Sequence, residues 1–151
     1  MVLLDQLTKW IITRTIPYGT EVTVLKNFFD LVHARNRGAA FGFLSQWNSG
    51  NRDLFFYALS ALALFFLFYY LKELPSGRRG GILPISLIFG GAVGNILDRI
   101  FRGSVVDFLS FHWYNHSAFG VSLTWPAFNV ADSAITVGVL WLMFSTARKA
   151  R

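Results

Sequence analysis

Leu54 to Leu71 is an eighteen-residue apolar run with no charged side chain, bounded by Arg52 and Asp53 before it and by Lys72 and Glu73 after it. A run of that length and composition is a candidate to cross a bilayer as a helix. Its Phe and Tyr residues are expected against lipid and neighbouring helices rather than against a ligand. The rest of the chain fits the same solvent. Hydrophobic residues make up 54% of it and charged residues only 15%, where a soluble domain carries about 25% charged residues. The apolar excess comes in blocks, which points to a membrane protein and not to a large soluble core. The net charge of +6 does not indicate nucleic acid, because the basic residues flank apolar segments and form no aromatic-interleaved basic face. The absence of cysteine excludes disulfides, thiolate catalysis and cysteine-ligated metal. Asp5 interrupts the first apolar run after four residues and no small-residue cleavage site comes after it, so the N-terminus does not read as a secretory signal.

Three further apolar segments accompany that run. Met1 to about Ile16 reads as a helix reaching about 24 Å, short of the ~30 Å hydrocarbon core, so it is either stunted or preceded by further turns. Ile82 to Phe101 is the next span, with Pro84 tolerated in its first turn. Val130 to Thr146 is the last. Between the first two helices, residues 20–47 change pattern: Glu21-Val-Thr-Val-Leu25 and Phe28-Phe-Asp-Leu-Val-His33 are β-branched, aromatic and partly alternating, which predicts a small strand-rich element outside the membrane. Residues 110–125 are rich in aromatic side chains and are expected to lie at headgroup level as a flap. Lys72, Arg78, Arg79, Arg148, Lys149 and Arg151 concentrate positive charge on one side. By the positive-inside rule that side, with both termini, is cytoplasmic. The expectation is a mainly α integral membrane protein: four transmembrane helices, a β-strand cradle and an interfacial flap in one domain.

The polar residues are concentrated where such a chain should have few. Phe89 to Phe108 begins as an apolar, glycine-rich helix and then carries Asn95, Asp98, Arg99, Arg102 and Asp107. Intramembrane polar groups at this density need a reason. Gly90 and Gly94 have the small-xxx-small spacing that lets a neighbouring helix approach. Asn95 shares a helical face with Asp98 and Arg99, as a buried strut, a substrate clamp or both. Asp5 and Lys9 stand at i, i+4 with the acid first, and a structural ion pair is favoured over a catalytic one. Asn129 is placed as an N-cap and Asp132 falls in the first turn of the last span, where the helix dipole favours an anion. Asp107 and Asp132 bracket one connection, so both emerge on the same membrane face, opposite the basic termini. His112 and His116 at i, i+4 lack the glutamate of a zinc signature, and a metal is not expected. Asn36-Arg-Gly-Ala-Ala-Phe41 reads equally well as an ordinary loop or as a functional one. From the residue pattern, a proton-coupled transporter or a scaffold competes with an enzyme. A transporter would show repeat-related broken helices, and none is found.

Taken together, Asp5-Gln-Leu-Thr-Lys9, Asn36-Arg-Gly-Ala-Ala-Phe41, Gly90-Gly-Ala-Val-Gly-Asn95-Ile-Leu-Asp98-Arg99 with Val105-Val-Asp107-Phe108, and Phe128-Asn129-Val-Ala-Asp132-Ser133 resemble the bacterial lipoprotein signal peptidases (signal peptidase II). The blocks occur in that family's order and span nearly the whole chain. The resemblance implies a membrane aspartyl endopeptidase of the bacterial cytoplasmic membrane, its site near the extracytoplasmic face. It implies cleavage of diacylglyceryl-modified prolipoproteins just before the lipidated cysteine. It places the catalytic pair on Asp107 and Asp132, and supporting residues on Asn36, Asn95, Arg99 and Asn129. Asp5, Lys9 and Asp98 take structural polar roles. The implied protein is a monomer in contact with membrane lipid, with no cofactor and no metal.

Overall fold

The computed structural model describes residues 1–37, 82–118 and 121–147, with individual positions between 50 and 72; of residues 113–118, 121–124 and 146–147 it describes the backbone. Helix α1 runs Val2–Thr15. It stops before Pro17, and a turn through Gly19 (φ 78°) leads into strand β1, Glu21–Leu25. Asn27, at φ 62°, makes the tight reversal into strand β2, Phe29–Asn36; asparagine is among the few side chains that tolerate this left-handed geometry. Helix α2 is Ile82–Arg102 and ends at Gly103, whose amide caps the Arg99 carbonyl at 3.1 Å. Its φ of 69° suits glycine at that cap. Strands β3 (Val105–Ala118) and β4 (Val121–Thr124) come next, and helix α3 is Val130–Ala147.

The strands form one antiparallel sheet in the order β1-β2-β3-β4. Its register sets Ala34 opposite Asp107 and Asn36 opposite Val105. The stretch 110–125, expected as a separate flap, is strand over 110–118 and 121–124 and extends the sheet. The reason is local. Phe111 stacks on Phe29 across the strand pair (4.7 Å, 25°) and on Phe128 (5.8 Å, 19°), and such aromatic pairs stabilise a pleated surface better than an isolated loop. Of the expected cradle, residues 38–47 lie outside the described residues. The second apolar run is described at Leu54, Phe55, Ala58, Ala61, Leu62, Phe65, Phe68 and Tyr69, all helical and all exposed. Their three- and four-residue spacing makes one continuous stripe.

The molecule is polar inside and apolar outside. Asp5, Lys9 and Asp98 have no exposed surface, whereas Leu3 on the same helix as Asp5 is 87% exposed. In α1 the buried residues are Asp5, Lys9 and Ile12, while Leu3, Leu4, Leu7, Trp10 and Ile11 face outward. Val137, Leu140, Met143 and Phe144 do the same on α3. That inversion is stable only where the surroundings are hydrocarbon. Of the described helices, α2 is long and apolar enough to cross a membrane, and Val130–Ser145 is a shorter apolar helix. A small apolar core does exist. Ile12 and Ile16, at the end of α1, pack on Val106 and Phe108, with Leu31, Leu109 and Val130 around them. It locks the end of α1 against the strand that carries Asp107.

Glycines bring the helices together. A Cβ on Gly91 would lie 2.5 Å from the Ala131 carbonyl of α3, and one on Gly94 would lie 2.5 Å from Asp5 Oδ2 of α1. Helix α2 is therefore the central element, and α1 and α3 approach it closely at these two positions.

Candidate active site

Two polar assemblies occupy the space between the helices, and they share Asn95. The first is a closed ionic knot. Lys9 Nζ lies 2.9 Å from Asp5 Oδ2 and 3.0 Å from Asp98 Oδ2, and donates to Asn95 Oδ1 at 2.9 Å. The remaining acceptor capacity of the two carboxylates is also used. Asp5 Oδ1 accepts the Ala131 amide at 3.0 Å and Asp98 Oδ2 the Val106 amide at 3.0 Å. Arg102 binds Asp98 Oδ1. Gln6, not singled out from the sequence, ties the knot: its amide nitrogen donates to Asp5, to Asp98 and to the Gly94 carbonyl, each at 3.1 Å. Its oxygen accepts from Arg102 at 2.7 Å. The available signal was the position of Gln6 beside Asp5 and one turn from Lys9 on the same helix. The knot joins α1, α2, β3 and the first turn of α3 by charge-assisted bonds in a low-dielectric interior, where each is strong and each unpaired member would be costly.

The second assembly lies where α3 begins. Asn129 caps the helix: its Oδ1 accepts the Asp132 amide at 2.9 Å, and Asp132 Oδ2 accepts the Asn129 amide at 3.2 Å. This is a reciprocal capping box built with Asp in place of Glu or Gln. The same Asn129 side chain donates to Asp107 Oδ1 at 2.8 Å and to Asn95 Oδ1 at 3.2 Å. Asn95, one turn of α2 before Arg99, donates to Asp132 Oδ1 at 2.7 Å. Arg99 Nη1 in turn donates to the Asn95 carbonyl at 3.2 Å. Asn36 is bonded to Asp107 as well. Asp107 and Asp132, far apart along the chain, are thus joined through one asparagine, and Asp107, Asn36, Asn95, Arg99, Asn129 and Asp132 form one cluster.

Electrostatics single out Asp107. It is 3% exposed, and its pKa is pushed up to about 6 by burial and then by the nearby charge of Asp132. Hydrogen bonds from Asn36 and Asn129 and the charge of Lys9 act in the opposite direction and are outweighed. Two carboxyl groups close enough to feel each other resist double ionisation and hold a proton between them.

Beside Asp132 lies an apolar groove of about 450 Å³. Phe111, Trp125 and Phe128 line it together with Asp132, Ser133, Thr136 and Val137 of α3. On the metal question, His112 is turned onto Asp30, Nε2 to Oδ2 2.6 Å, inside the sheet; the side chain of His116 lies outside the described residues, as do Gly38 to Phe41 of the asparagine-containing motif. Among the described residues no three His, Asp or Glu side chains converge as a metal site would require.

Among known proteins, the family model described as signal peptidase (SPase) II matches residues 1–148. A lipoprotein signal peptidase of Syntrophotalea carbinolica is 44% identical over 145 residues, covering 96% of this chain and 84% of that one. One from Geobacter metallireducens is 40% identical over 148 residues, covering 98% and 86%. Two solved structures described as bacterial membrane enzymes determined by the in meso method, at 2.3 and 1.9 Å resolution, superpose with TM-scores of 0.78 at 34% identity. They cover 99% and 96% of this chain, and 84% and 86% of their own.

Proposed function

The chain belongs to the signal peptidase II family, and we propose that Asp107 and Asp132 are the carboxyl pair with which it hydrolyses its substrate. It is a bacterial inner-membrane protease that removes signal peptides from prolipoproteins. The transporter considered from the sequence finds no support in these relatives. The observation that carries the aspartyl reading is the raised pKa of a buried Asp107 coupled to Asp132, with both side chains anchored through Asn129 and Asn95.

Amide hydrolysis with such a pair proceeds with one carboxylate taking a proton from water while the other, as the acid, protonates the scissile carbonyl oxygen. The oxygen of water bonds to the carbonyl carbon, giving a neutral tetrahedral diol. Collapse re-forms the carbonyl, breaks the C–N bond and passes the proton to the departing amine of the cysteine. The pair returns to its single-proton state. Asn129 and Asn95 fix the orientation of the two carboxyls, and Arg99 and Asn36 are positioned to hold substrate backbone.

The proposal extends to topology. Four helices span the membrane, both termini are cytoplasmic and the aspartates open near the extracytoplasmic face. The enzyme acts as a monomer on diacylglyceryl-modified prolipoprotein, cutting just before the lipidated cysteine. The test is cleavage of a lipid-modified prolipoprotein by the purified protein, by Asp107→Asn and by Asp132→Asn. Each replacement is expected to lower kcat by at least about 10²-fold, the contribution of one acid–base group, with the fold retained. A folded variant cutting at the parent rate removes that residue from the pair.

A further inference from the structure

We infer that Gln6 is a positioning residue for the reaction: it locks the two knot carboxylates whose backbone bonds set the separation of Asp107 and Asp132. The inference rests on the aspartyl reading above and adds to it what holds the pair in register.

The knot is tied to both members of the pair in the same way. Asp98 Oδ2 accepts the amide of Val106, the residue before Asp107, at 3.0 Å. Asp5 Oδ1 accepts the amide of Ala131, the residue before Asp132, at 3.0 Å. Lys9 closes the path between the two carboxylates at 2.9 and 3.0 Å. Ala131 is the second residue of α3, and its amide is one of those that a helix N-terminus leaves free. The Asn129 cap is already occupied by the Asp132 amide, so Asp5 supplies a second cap from another helix. Val106 and Ala131 are fully buried, as are Asp5, Lys9 and Asp98. A displacement of either carboxylate therefore passes straight to the backbone beside Asp107 or Asp132.

Lys9 alone cannot prevent such a displacement. An ammonium is a compact point charge that does not fix the plane of a carboxylate, and the outer torsion of an aspartate is soft. Gln6 supplies the missing constraint. Its Nε2 reaches Asp5 Oδ2 and Asp98 Oδ1, each at 3.1 Å. In both residues that is the oxygen not bonded to the backbone amide, so pinning it keeps the other oxygen in place. The orientation of the Gln6 amide is itself settled from two sides. Nε2 also donates to the Gly94 carbonyl at 3.1 Å, and Oε1 accepts from Arg102 at 2.7 Å. Turned over, it would set oxygen against two carboxylates and nitrogen against a guanidinium.

Stability alone does not call for such a cluster, since packed apolar side chains often serve as well as a buried ion pair. What it adds is direction, and a 1 Å misplacement at an active site can cost about 10²-fold in rate. Separation also has an electrostatic signature. As two carboxyl groups move apart, the upper apparent pKa of their pair falls. Besides burial, Asp107 responds to Asp132 of α3, Asn36 of β2, Asn129 at the cap and Lys9 of α1. From α2, Asn95 is bonded to Asn129 and Asp98 to the neighbouring amide. Gln6 is neutral and is none of these, so replacing it alters the pair through geometry and not through charge.

The experiment measures kcat, KM and the pH profile of kcat/KM on a lipid-modified prolipopeptide in nanodiscs, for the parent, Gln6→Met and Gln6→Asn. Methionine fills the space without the hydrogen bonds. Asparagine keeps an amide too short to span both carboxylates, and keeps the position polar should the methionine variant fail to fold. In a folded variant kcat should fall by about tenfold, part of the ~10²-fold that misplacement can cost. KM should change little, and the alkaline limb should move to lower pH. A kcat at the parent value overturns the inference. So does a fall in kcat with the limb in place or moved to higher pH, which leaves Gln6 a brace of α1 on α2, and so does a rise in KM alone, which makes it a substrate contact. The aspartyl reading fails by a different outcome, Asp107→Asn or Asp132→Asn cutting at the parent rate in the same assay.

Discussion

The ionic knot and the aspartate pair both place acidic side chains in a buried site, and they treat them oppositely. In the knot, Lys9 sits between Asp5 and Asp98 at 2.9 and 3.0 Å, and backbone amides of β3 and α3 complete the two carboxylates. Charge is neutralised where it stands. At the start of α3, the side-chain hydrogen bonds that hold Asp107 and Asp132 come from the amides of Asn36, Asn95 and Asn129, which are neutral, and burial outweighs them to raise the pKa of Asp107. A carboxylate locked to a cation and to backbone amides is tied up in holding the helices together. One held by neutral amides beside another carboxyl group can take up a proton and release it. The difference separates a structural site from a reactive one within a single hydrogen-bonded network, with Asn95 as the shared member.

The largest effect is expected where neutralisation is removed. Lys9→Met leaves two carboxylates buried without their shared cation, and breaking such a pair costs about 3–5 kcal/mol. Unfolding in mixed micelles should show a loss of that size. Adding Asp98→Asn to Lys9→Met should recover part of it, because one of the stranded charges is then gone. If Lys9→Met is as stable as the parent, the knot is not what holds α1 to α2, and the contrast with the catalytic end collapses.

How much of this is legible in the sequence depends on whether the residues involved lie close along the chain. Asp5 and Lys9, or Asn129 and Asp132, meet within one helical turn, so spacing alone places them. Helix α2 is legible as a span because an apolar run of membrane length has few alternatives. Asp98 joining Lys9 is not legible, because it requires the close approach that Gly94 permits and a crossing of α1 over α2 that no local pattern encodes. Gln6 escapes notice for the same reason: its partners on α2 are 88 to 96 positions away. The 110–125 stretch reads as a flap because aromatic residues suit both a membrane interface and a strand. The deciding contacts, Phe111 with Phe29 and Phe128, are between segments. The coupling of Asp107 to Asp132 is expected from the loop they bracket, and Asn129 is expected as a cap and a supporting residue; that its side chain reaches back to Asp107 is a contact between segments that no local spacing encodes.

A smaller effect tests how close the helices must be. In Gly91→Ala the new methyl would meet the Ala131 carbonyl at 2.5 Å and Ile135 Cγ1 at 2.8 Å. Backbone cannot yield as a side-chain tip does, so the expected loss is about 1–3 kcal/mol, typical of overpacking. Since Ala131 lies between the cap and Asp132, cleavage should fall together with stability. A stable but inactive Gly91→Ala would show that the start of α3 is set for geometry more than for strength. Smaller again is Asn129→Ala. Loss of an N-cap alone costs about 1 kcal/mol, while the loss in kcat should be well beyond what that destabilisation explains, because the same amide orients Asp107. Equal losses in the two measurements would reduce Asn129 to a cap.

The smallest effect is a shift in pH and tests the reactive side of the contrast most directly. Asn36 is bonded to Asp107 and favours its charged form, so it holds the pKa below the value burial alone would set. Removing that bond in Asn36→Ala must move the pKa of Asp107 further up, not down. The active pair carries one proton, and that proton is lost as pH rises through the upper apparent pKa, near 6 in the parent. The alkaline limb of kcat/KM should therefore move to higher pH in Asn36→Ala, by about half a unit. At the same time the maximal value falls as a substrate contact is lost. Profiles of kcat/KM against pH, for parent and variant in identical nanodiscs, separate the two effects. A limb that stays in place while the maximum falls would assign Asn36 to substrate alone. A limb that moves to lower pH would mean that the proton lost on that side does not belong to Asp107.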